Sequence, residues 1–160
     1  MRQTTTYFGR IALSTAVSQF PVEEDDYKEV QESVINSLLE LRSGQYSTDR
    51  VVNQQLARLY KALGRYRSAE EVMTSLIERK EHLGERDDAT IVDAYYDRAC
   101  YQSLRWAIAN SEEKPVLVAG IKRDLSRAFS LDETLRAYAQ KDKWLQSVAS
   151  EDWFKDLVRG

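Results

Sequence analysis

Apolar residues return every three or four positions along most of this chain, the period of an α-helix with one buried face. From Tyr27 the stripe runs Val30, Val34, Leu38 and Leu41, widened by Ile35 and Leu39, with Lys28, Glu29, Glu32 and Glu40 on the opposite side. This predicts a helix over 27–43, stopped by Gly44 at positive φ. Ser47, Thr48 and Asp49 are acceptable N-caps for a second helix with core positions Val52, Leu56, Leu59, Tyr60 and Leu63, closed by Gly64. A third carries Ala69, Val72, Met73, Leu76, Ile77 and Leu83 as far as Gly84. So little chain joins the second and third helices that they are expected to be antiparallel neighbours.

Asp87 or Asp88 caps a long fourth helix reaching Asn110, with Ile91, Val92, Tyr95, Tyr96, Ala99, Cys100 and Leu104 on a wide apolar face. Trp106 and Ile108 predict that its C-terminal end is buried as well. After the loop 111–115, Pro115 suits the first turn of a helix over 116–131 with Leu117, Ile121, Leu125, Ala128 and Phe129. Leu135, Tyr138, either Trp144 or Leu145, and Val148 predict another over 134–148. A last short helix holds Trp153, Phe154 and Leu157. Residues 1–26 read as a lead-in packed on the first helix, with a flexible arm as the alternative. Ile11 to Gln19 supply two turns, and Pro21 then Glu23 to Asp26 a stop and a new start. The fold class is all-α, with about six to seven helices.

Composition narrows the function. Only 6 glycines and 2 prolines in 160 residues favour helix over loop-rich β structure. A formal net charge of −3 lacks the basic footprint of a nucleic-acid binder. A single cysteine, Cys100, forms no internal disulfide and suits a reducing compartment. The chain has no apolar run approaching the ~20 residues of a membrane span. It also lacks clustered positive charge ahead of the short apolar piece from Ile11 to Val17. The reading is a cytoplasmic chain with no membrane partner.

The middle of the chain resembles the tetratricopeptide repeat. Leu56-Ala57 stands where the family has Leu-Gly, and Tyr60 stands at its Tyr. Gly64-Arg65-Tyr66 matches its Gly-x-Tyr turn, Ala69 its small residue and Met73 its Phe. Asn53 replaces the Trp and Glu81 the Pro. The stretches Tyr95 to Tyr101 and Asp124 to Asp132 resemble pieces of a second repeat, and Ala139 to Leu145 the solvating helix that closes such arrays. The resemblance implies antiparallel helix-turn-helix repeats, a short α-solenoid, over 47–160. Residues 1–46 form an N-terminal lead-in and packing helix within the same compact domain. Because repeat units need neighbours to bury their apolar faces, self-association or a larger parent protein is also implied.

Little chemistry competes with packing. His82, the only histidine, lies near a helix C-terminus, where it suits terminal carbonyls. One His and one Cys exclude the usual zinc ligand sets, and no spacing pairs them as base and nucleophile. The acidic pairs fall mostly at helix starts. The reading is therefore non-enzymatic, with no catalytic residue, no metal and no cofactor. Gln54, Arg58 and Lys61 occupy one flank of the second helix, with Arg65 and Arg67 at its end. In the resembled family the first helix of each unit lines a concave groove. The resemblance thus makes Gln54, Arg58, Lys61 and Arg65 a basic rim for a protein or peptide partner, an acidic segment or a C-terminal carboxylate. An ordinary solvated helix face is the plainer alternative. The row differs from the Lys and Asn clamp of the family's chaperone-binding members. Tyr95, Tyr96, Tyr101 and Trp106 read as core before they read as a binding cluster. An alternative function is a structural or oligomerisation unit whose partner is a second copy of the chain.

Overall fold

The structure, a computed structural model, describes residues 7, 10–12, 14–15 and 25–160. Among them secondary structure is helical, without strand. The named helices are α1 (Asp25–Ser43), α2 (Arg50–Ala62), α3 (Tyr66–His82), α4 (Ala89–Ile108), α5 (Lys114–Leu131), α6 (Leu135–Ala139) and α7 (Asp152–Arg159). The chain forms two compact units, residues 1–79 and 80–160. Of the expected lead-in, residues 7, 10–12, 14 and 15 are helical; the stop at Pro21 and the start at Glu23 lie outside the described residues.

In the first unit the core is Val34, Ile35 and Leu38 of α1, Val52, Leu56, Ala57 and Leu59 of α2, and Ala69, Val72, Met73, Leu76 and Ile77 of α3. α1 packs on α2. The buried face of α1 is rotated from the expected stripe. Gln31 is fully buried, while Val30 and Leu39 are exposed at 44% and 37%. Arg42, three turns on from Gln31 along the same face, donates through Nε to Asn53 Oδ1 at 2.8 Å. The Asn53 amide in turn donates to the carbonyls of Ser47 (3.1 Å) and Asp49 (2.8 Å). Asn53 thus ties the α1–α2 connection to the core.

Asp49 caps α2 as expected: its Oδ1 accepts from the Val52 N–H at 2.9 Å. Gly64 closes α2 at φ +70°, and the Arg65 N–H donates to the Tyr60 carbonyl at 2.8 Å. Gly44 is different: it is absent from the glycines at positive φ. The exit from α1 uses ordinary turns, Gly44 N–H to the Leu41 carbonyl and Asp49 N–H to the Tyr46 carbonyl, so no left-handed residue is needed.

In the second unit α4 and α5 pack along each other, burying Ile91, Ala94, Ala99, Cys100, Tyr101, Leu117, Ile121, Leu125, Ala128 and Phe129. α6 and α7 close against α5, with Ala139, Leu145, Val148, Phe154 and Val158 buried. Two expectations fail here. The helix expected over 134–148 is only the five residues of α6, followed by turns such as Leu145 N–H to the Asp142 carbonyl. The cause is Asp142, whose carboxylate accepts from the Trp144 N–H at 2.9 Å and the Tyr96 hydroxyl at 3.0 Å, drawing the backbone out of the helix. The C-terminal end of α4 is also not buried. Ile108 is 75% exposed and Trp106 half-buried under the Lys114 ammonium, 4.3 Å from the ring centroid. The extended Ala109 ends α4 there, two residues before the expected limit.

Candidate partner-binding face

α2 has two contrasting sides. Val52, Asn53, Gln55, Leu56, Ala57 and Leu59 turn inward and are buried. Gln54, Arg58 and Lys61, four and three residues apart, therefore share the outer side, where Val51 is 40% exposed. Arg58 is exposed, and Gln54 and Lys61 are half-buried. Arg65 follows the left-handed Gly64, its backbone fixed by the bond to Tyr60. Its side chain, 44% exposed, forms an ion pair with Glu32 of α1. Arg67 makes a looser pair with Glu71, one turn along α3, at 3.8 Å.

Glu32 also lines an open groove of about 600 Å³ along α1, together with Lys28, Glu29, Ser33, Asn36 and Glu40. Arg10 reaches the other end of that face, donating to the Ser37 carbonyl at 2.9 Å and to Glu40 at 3.1 Å. Tyr60 sits among the charges. Burial chiefly raises its hydroxyl pKa, Glu32 and Glu71 adding to the rise and Arg65 and Arg42 opposing it. The Arg42 guanidinium is lowered mainly by burial and then by Arg79. Arg42 and Asn53 were not legible as a pair from sequence. Neither falls on the expected apolar stripe of its helix, which runs through Leu41 on α1 and Val52 on α2.

The second unit holds a more deeply buried polar pair. Arg98, on the inner face of α4, meets Asp124, on the inner face of α5, and Arg123 adds a bond to Asp124 Oδ1 at 2.9 Å. Nearby on α4, Cys100 is fully buried, its sulfur 3.9 Å from Asp142 Oδ2. Burial, with Cys100 and Asp142 adding to it, pushes the Tyr96 hydroxyl far above its ordinary pKa. His82 is exposed at the end of α3. Among the described residues no group of three or more His, Cys, Asp or Glu could hold a metal ion. No described helix is long and apolar enough to cross a membrane. Compared with known proteins, the chain matches no family model, no curated protein and no solved structure.

Proposed function

We propose that the chain is a non-enzymatic helical interaction module, built on tetratricopeptide-like repeats, that binds an acidic protein segment along the outer side of α2. The observation that carries this reading is the division of α2. Its inner side is committed to the core, while Gln54, Arg58 and Lys61 form a polar row on the other, continued by Arg65 past the turn. Carboxylates fit such a row because guanidinium and ammonium donors can engage them with charge-assisted hydrogen bonds. The test is a peptide-display selection on the 160-residue chain, repeated on an Arg58→Glu, Lys61→Glu variant. Acidic segments enriched by the first and lost from the second support the reading. Enrichment without acidic bias, or retained by the variant, removes it.

A second reading, self-association, is favoured by Ile108 and Val116, which stand 75% and 74% exposed on either side of the α4–α5 turn. Light scattering at several concentrations tests it. A mass that rises with concentration and returns to the monomer value in Ile108→Lys supports a self-pairing surface. A constant monomer mass rejects it.

A further inference from the structure

On the reading just proposed, the Arg65–Glu32 pair acquires a role beyond packing. We infer that Glu32 is an internal stand-in for the ligand's carboxylate, holding Arg65 until an acidic segment displaces it. Arg65 leaves the end of α2 from a fixed point, set by the left-handed Gly64 and the bond to the Tyr60 carbonyl. From there its guanidinium already grips a carboxylate, as binding to the row would require of it.

The pair is exchangeable. Its side chains are 44% and 36% exposed, and ion pairs open to water are held weakly. A ligand carboxylate brought up beside Arg58 and Lys61 can replace Glu32 without stranding a buried charge. The released Glu32 falls back on the open groove of α1, where Lys28 lies one helical turn away. Arg42 shows the contrast. Half-buried and bound to Asn53 and the Val72 carbonyl, it is part of the framework and not available for exchange. Apparent affinity for an acidic segment is therefore reduced by the fraction of Arg65 that Glu32 occupies.

The test is fluorescence anisotropy of a labelled hexaglutamate peptide titrated with the full chain. Glu32→Gln should tighten binding about two- to fivefold, the range open to an exposed pair. The gain should vanish on an Arg65→Ala background. Glu29→Gln removes one negative charge from the same helix without freeing Arg65 and should give a smaller gain, while circular dichroism verifies each variant's fold. Two results overturn the inference alone: Glu32→Gln binding no tighter than the parent, or Glu29→Gln tightening as much, while Arg58→Ala with Lys61→Ala still removes binding. Absence of peptide binding in the parent and in Glu32→Gln overturns both the inference and the reading beneath it.

Discussion

Arg98 and Asp124 meet in a two-pronged hydrogen bond inside the second unit, Nε to Oδ2 at 2.6 Å and Nη2 to Oδ1 at 2.7 Å, with the Asp124 side chain fully shielded from solvent. The pair joins α4 to α5 where aliphatic contact would be expected, so each partner depends on the other. Asp124→Ala leaves the Arg98 charge buried without its carboxylate, and should cost about 3 to 5 kcal/mol in urea unfolding. Arg98→Met combined with Asp124→Leu removes both charges and should recover most of that loss. Equal destabilisation in the single and double variants would contradict this coupling.

One turn further along the same interface, Gln102 lies against Gly120. A Cβ added at Gly120 would stand 2.8 Å from Gln102 Oε1, and Gln102 is itself buried. Gly120→Ala should forfeit the helix-propensity gain of about 1 kcal/mol that an exposed glycine would yield. On a Gln102→Ala background the same change should recover it. A double-mutant cycle measures the difference, and additivity would show that Gln102 yields without cost.

The connection before α4 is clipped by Lys80, nearly buried, with its ammonium 2.5 Å from Glu85 and 2.7 Å from Asp88, the α4 N-cap. Burial works against both charges, yet the mutual hydrogen bonds prevail: Lys80 is raised above 10.5 and Asp88 lowered below 3.8. A raised lysine contributes stability that is full below 10.5 and lost as pH rises through its folded value. A lowered carboxyl contributes stability that is full above 3.8 and lost as pH falls through its folded value. The stability advantage over Lys80→Met should therefore be flat between those limits and decline at both ends. Unfolding measured across pH checks this, and an advantage that rises toward acid would contradict it.

How much of this was legible from sequence depended on the range of the interactions involved. α2 was readable because its cap, its stripe of Val52, Leu56 and Leu59, and its stop at Gly64 are all local signals. Spacing on that helix also grouped Gln54, Arg58 and Lys61. The rotated face of α1 was not readable, because the Arg42 side chain turns inward only by virtue of a partner on another helix, Asn53. The short α6 escaped for a similar reason. Leu145 and Val148 are buried as their pattern implied, but Asp142, bound to Tyr96 on α4, replaces the helix with turns. Sequence placed Arg65 in the row, whereas its engagement with Glu32 is set by tertiary geometry.

The most direct test of acidic-segment binding is a backbone amide chemical-shift map of the isotopically labelled chain, titrated with an acidic peptide taken from the display selection. The account predicts that the largest saturable shifts fall at Gln54, Arg58, Lys61 and Arg65, with Glu32 moving alongside them as its ion pair opens. Shifts centred elsewhere, such as at Ile108 and Val116, or no saturable shift at all, would contradict it.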